Sequence, residues 1–389
     1  MRGARAAERA GALAALYVGM RVPTPRLDGG SARELSVLEA LRGLGIRVTF
    51  AAHYERPDPP YSESLADDTA RLRALGVEVV APSAGTTLEE HLTAHGPGYD
   101  LVLLSPYSVA DRYLPAVRAL APGATVVYLA LDLGHVQHFR RARVTGKVPD
   151  LQRALAAKRC ETRLARETDV TLVCSAEERG ALLSLCPAAD VRLLTHVVEA
   201  RRAPTPFARR TGLLFLGSFP HLANVDAMEH FVRDIFPAVK RGIPGTVLNI
   251  VGADPRGDVR HLGGGDITVH GWVPDLGPHF DQARVFVAPL RYGAGIKIKV
   301  LDSLARGVPA VLSPVAAEGM GVTDGEDALI GPSPEAFAAA VIRVYGDQEL
   351  WQRLADGGVS LVERRFSPRA MRETLAGLLP AGRAQAGGT

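Results

Sequence analysis

Short apolar runs recur along the chain, and stretches with helical periodicity separate them. Strands of a parallel sheet look like this, because helices cover both faces of the sheet and leave no polar side. Seven runs lie before residue 200 and six lie after it, which predicts two doubly wound α/β domains. The predicted strands cover residues 13–18, 48–51, 77–80, 101–104, 126–131, 170–174, 191–194, 213–216, 247–251, 267–269, 285–288, 310–312 and 328–330.

Two prolines, Pro204 and Pro206, interrupt the pattern between the two sets of runs. Proline cannot continue a helix and restricts the residue before it, so we predict an exposed linker at 203–210. The linker separates an N-terminal Rossmann-like domain, 1–202, from a C-terminal one, 211–366. Helical patterns then cover 334–345, 348–364 and 367–379, the last with Ser367 as N-cap and Pro368 as first helical residue. We expect residues 381–389 to form a disordered tail.

The balance of charges and the cysteine pattern exclude several classes of protein. The 389 residues include 45 Lys and Arg against 42 Asp and Glu, too balanced for a protein that mainly follows nucleic-acid phosphates. The three cysteines form no Cys-x-x-Cys pair, so we expect neither a disulfide framework nor a zinc site. No apolar run within residues 1–16 is long enough for a signal or membrane-spanning helix. A cytoplasmic protein without a nucleic-acid partner is expected.

Positive charge is concentrated in residues 138–166, which hold nine Lys or Arg against two acidic residues. Such a segment can rest on an anionic lipid surface, which would make the protein peripheral at the inner face of a membrane. The segment has one aromatic residue, Phe139, and shows no wide apolar stripe in its sequence. The sequence therefore favours a solvated surface, and contact with a membrane is the alternative interpretation.

The turn after the first predicted strand contains Asp28, Gly29 and Gly30. Ser31 is followed three residues later by Glu34, a capping box that predicts a helix beginning at Ser31. Two glycines just before a helix let an anion approach free backbone N–H groups. A tight turn that needs a positive φ also explains this pair, and the local sequence by itself favours that interpretation.

The most specific stretch is 285–309, in which a strand ends at Pro289 and a glycine-rich loop follows. The helical pattern then runs from about Ile296 until Gly307 and Pro309 end it. Lys297 falls in the predicted first turn. Its ammonium and the free backbone N–H groups there can together hold a diphosphate.

Asp302 lies five residues after Lys297, about 7.5 Å along a helix at 1.5 Å per residue. This separation suits a diphosphate at the helix start and a ribose beside the carboxylate, which can accept from two vicinal hydroxyls. The alternative is an ion pair of Asp302 with Lys299 or Arg306 on an exposed helix face.

Several common nucleotide motifs are missing from the sequence. Neither 252–257 nor 293–297 completes a Gly-x-Gly-x-x-Gly pattern, and there is no P-loop. A dehydrogenase or P-loop enzyme is not indicated. No Asp-x-Asp pair occurs either, so we expect no bound Mg²⁺ and no cofactor.

Five pieces of the sequence together resemble the retaining family 4 glycosyltransferases of the GT-B fold, and the resemblance extends over 13–379. They are Gly29-Gly30, residues 169–178, 214–217, 270–275 and 289–318. The resemblance implies two Rossmann-like domains facing a cleft, with a C-terminal helix, 367–380, that packs back on the N-terminal domain. It also implies a metal-independent hexosyltransferase that moves a sugar, with retention, from a nucleoside-diphosphate sugar to an acceptor hydroxyl. The acceptor would be a growing glycan, a lipid-linked molecule or a small natural product.

The resemblance implies that the C-terminal domain holds the donor. Asp302 takes the position of an acidic ribose ligand that is Glu in many relatives, and Ala294 takes that of a second Glu. An Arg common in relatives is Ser218 here, which leaves Arg291 and Lys297 as cations. The expected donor-binding residues are Gly29, Gly30, Trp272, Val273, Gly293, Ala294, Gly295, Ile296, Lys297, Asp302 and Glu318.

Two of these positions carry an alternative. The backbone of Trp272 and Val273 corresponds to a nucleobase contact, whereas the ring of Trp272 itself is expected to be buried in packing. Glu318 matches a Glu-Gly pair before a short helix near the donor, although capping of that helix would also explain it.

For catalysis, the resemblance implies a histidine at a strand end, with His135 as first candidate and His138 as second. A hydrogen-bonded structural His135 is the alternative. Lys297 and Arg291 would stabilise the charge that grows on the departing diphosphate, and the acceptor would attack from the front side. Two other functions stay open: an epimerase acting on nucleoside-diphosphate sugars, and a catalytically silent partner subunit with the same fold.

Overall fold

The computed structural model describes residues 13–26, 29–54, 62–80, 87–254 and 257–379. Their strands form two parallel sheets, with the orders β3-β2-β1-β4-β5-β6-β7 and β10-β9-β8-β11-β12-β13. The strands are β1 Ala14–Gly19, β2 Arg47–Ala52, β3 Glu78–Val80, β4 Leu101–Leu104, β5 Thr125–Leu129, β6 Val170–Val173, β7 Val191–Leu193, β8 Leu213–Leu216, β9 Leu248–Val251, β10 Ile267–Gly271, β11 Val285–Ala288, β12 Ala310–Leu312 and β13 Leu329–Ile330.

Helices separate the strands in both sheets. They are α1 Gly29–Gly43, α2 Leu65–Ala74, α3 Leu88–His95, α4 Tyr107–Leu120, α5 Gly134–Thr145, α6 Val148–Glu167, α7 Ala176–Leu185, α8 Leu222–His230, α9 Phe236–Gly242, α10 Gly277–Gln282, α11 Ile298–Ala305, α12 Pro314–Ala317, α13 Pro334–Gly346, α14 Gln348–Arg365 and α15 Pro368–Ala376. Strands β4, β6 and β11 are buried along their whole length, as expected of strands covered on both faces.

All thirteen predicted strands are present, and their bounds differ from the predicted ones by at most two residues. The prediction succeeds because continuous apolar runs are what a doubly covered parallel strand requires. In the first sheet, Leu16 of β1 lies opposite Thr49 of β2 and Val102 of β4, which fixes the register at the centre of the sheet. The predicted α/β fold class is confirmed.

The chain divides into two compact units. The first is drawn from Met1–His135, Leu155–Thr195 and Pro368–Thr389 and contains the seven-stranded sheet. The second is drawn from Val136–Ala154 and His196–Ser367 and contains the six-stranded sheet. The sequence pattern assigns 136–154 to the N-terminal domain, whereas the contacts of this segment lie in the second unit. Helix α15 packs on α1 within the first unit.

Two predicted helix starts are wrong by two residues, in opposite directions. Helix α1 begins at Gly29, so Ser31 lies inside the helix and is not its N-cap. The Glu34 side chain accepts a hydrogen bond from the Tyr17 hydroxyl at 3.2 Å. Helix α11 begins at Ile298 and not near Ile296. Asp28 and the predicted tail, 381–389, lie outside the described residues.

Candidate functional site

The strand order of the second sheet reverses beside β8. Strands β9 and β10 lie on one side of β8, whereas β11, β12 and β13 lie on the other. The chain therefore leaves β8 and β11 in opposite directions, which opens a crevice at their carboxyl ends, the usual ligand position in open α/β sheets. The residues that follow these two strands, 217–224 and 289–299, form the candidate site of the second unit.

Lys297 lies at the start of α11, as its N-cap rather than in its first turn. Its side chain is only 7% exposed, and its Nζ donates to the carbonyl oxygen of Gly295 at 2.7 Å. Gly293 and Gly295 have φ of 154° and 67°, which side chains with a Cβ rarely adopt, so the chain remains a loop up to the cap. This loop is the reason why the helix starts later than predicted.

Lys299 lies in the first turn of α11, and its ammonium crosses to the element that follows β8. Its Nζ donates to Oδ1 of Asn224 on α8 and lies 4.5 Å from the ring centroid of Phe215. Asn224 in turn donates from Nδ2 to the carbonyl oxygen of Ser218 at 2.7 Å. Burial, followed by the charge of Lys297, lowers the pKa of Lys299 to about 7.

Asp302 lies one turn further along α11 on the same face as Lys299. Among the described residues its carboxylate has no hydrogen bond and no ion pair, so the predicted alternative of a pair with Lys299 or Arg306 is wrong. Burial raises the pKa of Asp302 to about 6, and the charge of Arg306 offsets only part of that rise. A half-buried carboxylate without a protein partner, but not closed off from solvent, is suited to accept from a ligand.

Arg140 reaches the glycine-rich loop from helix α5. It donates to the carbonyl oxygen of Gly293 at 2.8 Å and forms a two-point ion pair with Glu318, with N–O distances of 2.6 and 2.8 Å. Glu318 follows the short helix α12, whose N-cap is Ser313. The prediction that Glu318 precedes and caps a short helix is therefore wrong, and its carboxylate is instead a partner of Arg140.

Arg291 is engaged by an acidic partner. Its guanidinium forms a two-point ion pair with Asp226 of α8, with Nε 2.9 Å from the carboxylate. Asp226 therefore neutralises much of the positive charge of Arg291 that was expected to stabilise the departing diphosphate. The roles expected for Arg291 and Lys297 in turnover remain predictions.

Trp272 follows β10, at the carboxyl edge of the second sheet, and its side chain is 48% exposed. The predicted burial of its ring in packing is therefore wrong. Val273 beside it is half-buried. His270, two residues earlier, is hydrogen-bonded through Nε2 to Asn249 at 2.8 Å, and burial lowers its pKa. An exposed indole with its neighbouring backbone is available to contact a planar ligand.

In the first unit, the predicted histidine lies at the start of α5 beside a buried carboxylate. Glu161 of α6 accepts from the backbone N–H of Gly134 at 2.7 Å and lies 2.5 Å from Nδ1 of His135. Both side chains are buried, at 6% exposure for His135 and 0% for Glu161. In the tautomer that carries its proton on Nδ1, the ring of His135 donates to Glu161 and Nε2 is left as an acceptor. The part predicted for His135 in turnover stays a prediction, as does that of the half-buried His138.

Gly29 and Gly30 form the first turn of α1 rather than a loop before it. Their backbone N–H groups therefore still belong to a helix start, at the carboxyl end of β1, where the order of the first sheet also reverses. The expected donor contact of these two glycines remains a prediction.

The basic segment has an exposed apolar face on α6, which the sequence did not reveal. Val148, Leu151 and Leu155 are 63%, 43% and 42% exposed. At about 100° per residue, these three positions and 147, 158 and 159 fall within about 120° of the helix circumference. The three apolar positions by themselves span only about 60° of the circumference, so this stripe is narrow and does not contradict the prediction that the segment has no wide apolar stripe.

Four residues at these two sites were missed by sequence reasoning: Asn224, Lys299, Arg140 and Glu161. The sequence holds only five lysines, so the pair two residues apart at 297 and 299 was a usable signal for Lys299. Arg140 and Glu161 appeared only as members of a charged segment. Nothing local marks Asn224, since its role depends on which strands are neighbours.

Among the described residues, no group of three or more His, Cys, Asp or Glu side chains is arranged to hold a metal ion. No helix in the described part of the chain has the length and apolar character needed to cross a membrane.

Comparison with known proteins identifies the second unit. Residues 210–347 match the family described as glycosyl transferases group 1. An uncharacterized 44.6 kDa protein in the cps region of Klebsiella pneumoniae is 23% identical over 166 residues, which are 40% of this chain and 43% of that relative.

Solved structures resemble the whole chain. Sucrose-phosphate synthase from Thermosynechococcus elongatus superposes with a TM-score of 0.71 at 18% identity, over 94% of this chain and 98% of that one. Anabaena HepE in complex with UDP and glucose superposes with a TM-score of 0.68 at 13% identity, over 94% of this chain and 98% of that one. TarM superposes with a TM-score of 0.68 at 8% identity, over 94% of this chain and 98% of that one. These likenesses agree with the two parallel sheets, so residues 210–347 form a glycosyl transferases group 1 domain in a chain that has the GT-B fold.

Proposed function

We propose that the protein is a retaining glycosyltransferase that moves a sugar from a nucleoside-diphosphate sugar to an acceptor hydroxyl. The observation that carries the proposal is Asp302, a half-buried carboxylate on a helix whose start holds two lysines; none of the residues that the structure describes forms a hydrogen bond or ion pair with it. Leaving an ionised group unpaired is unfavourable for folding, which favours a ligand as its partner. The family match of residues 210–347 supports the same function.

Each part of the donor has a matching group. Asp302 would accept from the two ribose hydroxyls, and Lys297 with the N–H groups of α11 would bind the diphosphate. Negative charge grows on the diphosphate as the sugar leaves, so cations fixed at the helix start stabilise the transition state more than the ground state. Trp272 and Val273 would contact the base. Because the HepE structure contains UDP, uridine diphosphate is the first nucleotide to test.

We propose that the transfer needs no metal ion, since lysines and a helix N-terminus can supply the positive charge that Mg²⁺ supplies elsewhere. We also propose retention of the anomeric configuration, with front-side attack by the acceptor. Its support is the resemblance of 289–318 to the retaining family.

The acceptor is proposed to be a lipid-linked molecule or glycan at an anionic membrane surface. Support comes from α6, where the exposed Val148, Leu151 and Leu155 lie between Lys147 and Lys158 on one side and Arg159 on the other. Apolar side chains entering the headgroup region beside basic side chains are typical of peripheral binding. The exposed stripe favours this interpretation over a merely solvated surface.

Titration calorimetry with UDP tests the donor site. Asp302→Asn keeps the side-chain volume and weakens acceptance from ribose hydroxyls, so UDP affinity should fall about 10- to 100-fold. Wild-type protein should bind 2′-deoxy-UDP more weakly than UDP. In Asp302→Asn the difference in affinity between these two nucleotides should be smaller. Lys297→Ala should lower the affinity for UDP more than the affinity for UMP.

Asp356→Asn and Lys240→Ala are matched controls, because both side chains are paired with other residues. UDP binding of normal affinity by both Asp302→Asn and Lys297→Ala would overturn the proposed site. Turnover of the donor without any acceptor would favour the epimerase, and binding without turnover of any donor would favour the silent subunit.

A further inference from the structure

Lys299 and Asn224 form a fixed bridge between the two elements that border the crevice. Lys299 belongs to α11, after β11, whereas Asn224 belongs to α8, after β8. Their side chains meet through Nζ and Oδ1, although 75 residues separate them. The hydrogen bond from Asn224 Nδ2 to Ser218 fixes the amide, so its oxygen faces the lysine. The ammonium is therefore held at the position where the strand order reverses.

The charge of Lys299 has no counter-ion within the described part of the chain. Among the described residues no carboxylate forms an ion pair with it, and its partners are the neutral Asn224 and the face of Phe215. Lys297 is the charged neighbour that affects it, and this repulsion together with burial lowers the pKa of Lys299 to about 7. Asp226, two residues after Asn224, is already occupied by Arg291. Two ammonium groups close to a helix start thus favour a dianion as their common partner.

We propose that Lys299 is a direct ligand of the donor's diphosphate and that Asn224 is the positioning residue that aims its ammonium. The proposal rests on the proposed function and deepens it, because it adds a second lysine of α11 as a diphosphate ligand and a residue of α8, on the other border of the crevice, that positions it. Lys297 and Lys299 would then hold the diphosphate together. Since an anion favours the charged lysine, binding above pH 7 should be accompanied by uptake of a proton at Lys299.

Calorimetry with UDP and UMP tests the ligand role. Lys299→Gln should lower UDP affinity about tenfold or more and change UMP affinity by less than about twofold, because it removes a charged hydrogen bond to the β-phosphate. Lys299→Arg should restore part of the affinity. Lys240→Gln in the same unit is the control, since that lysine pairs with Asp266. Thermal unfolding of each variant checks that it is folded.

The positioning role of Asn224 needs a separate readout. Asn224→Ala should reduce the preference for UDP over UMP, and the double variant with Lys299→Gln should bind UDP no more weakly than Lys299→Gln alone. A purely structural asparagine would instead give additive losses that affect UMP equally.

Proton uptake provides an independent measurement at pH 8, from the UDP binding enthalpy in buffers of different ionisation enthalpy. Wild-type protein should take up a fraction of a proton per UDP, and Lys299→Gln should take up none. If Lys299→Gln binds UDP normally while Lys297→Ala and Asp302→Asn bind it weakly, the inference is overturned and the proposed function stands. Normal binding by all three variants would overturn both.

Discussion

At the scale of single residues, two side chains on one face of α11 are held in states that folding alone does not favour. Burial lowers the pKa of Lys299 to about 7 and raises that of Asp302 to about 6. The two lie three residues apart but do not pair, since the ammonium is directed to Asn224. Perturbed groups of this kind gather where ligands bind, because the ligand supplies the missing interaction.

Asp302 should make the protein less stable as pH rises. Its pKa is about 6 when folded, above the ordinary 3.8, so the folded chain binds the proton more tightly than the unfolded chain. The stability that protonation gives is present below pH 4 and is lost as pH rises through 6. Asp302→Asn should therefore raise the Tm at pH 8, by the equivalent of about 1–3 kcal/mol, and change it little at pH 4.

Differential scanning fluorimetry at both pH values measures this effect. Asp356→Asn serves as the control, because Arg202 and Gln352 lower the pKa of Asp356 and the same substitution there should not stabilise the protein at pH 8. If the Tm of Asp302→Asn at pH 8 is equal to or lower than that of the wild type, the ionised carboxylate does not destabilise the folded protein and this prediction is wrong. A gain in stability together with weaker UDP binding is the combination expected of a binding residue.

At the scale of elements, α6 has two different faces. Its inner face carries Glu161, which binds the start of α5, and Asp150, which pairs with Arg141 and Arg153. Because Arg140 and Arg141 have internal partners, they are unsuitable for testing a membrane surface. The exposed face with Leu151 is the part of the basic segment that remains available to a partner.

Cosedimentation with vesicles tests the exposed face of α6. Wild-type protein should bind vesicles that contain about one third anionic lipid and should leave neutral ones in solution, because each basic side chain near the surface contributes about 1 kcal/mol. Changing Lys147, Lys158 and Arg159 to Ser should abolish binding, and Leu151→Ser with Leu155→Ser should weaken it.

Control variants keep this test specific. Serine at Arg201, Arg353 and Arg369 removes three exposed charges elsewhere and should leave vesicle binding nearly unchanged. All variants should bind UDP like the wild type. Equal binding to neutral and anionic vesicles, or none by the wild type, would mean that the α6 face is an ordinary solvated surface.

At the scale of the whole molecule, the fold and the group 1 domain lead to a prediction about turnover. Excess EDTA should leave the rate of transfer unchanged, because in the proposed mechanism Lys297, Lys299 and the start of α11 would supply the positive charge. The product should keep the anomeric configuration of the donor. A coupled assay and the NMR spectrum of the first product measure both; a loss of rate that Mg²⁺ restores, or an inverted product, contradicts the mechanism.

Much of the fold was predictable, since each strand is a local apolar run and each helix a local periodicity. The errors in the predicted helix starts occur where two local sequence signals favour different starting residues. Ser31 and Glu34 have the spacing of a capping box, yet α1 begins earlier, at Gly29. Gly293 and Gly295 keep the chain in a loop and delay α11.

The sequence by itself determined the two sets of parallel strands and the loop at 289–297, and it led to the prediction that Lys297 and Asp302 bind the donor, because these depend on residues close together in the chain. Only the tertiary structure brought Arg140 to Glu318, 178 residues apart, and Lys299 to Asn224. The physical reason is that partners so far apart in the chain depend on which elements become neighbours in space; for Lys299 and Asn224, the strand order of the second sheet decides this. Hydrophobic periodicity says which face of an element is buried but not which element lies beside it.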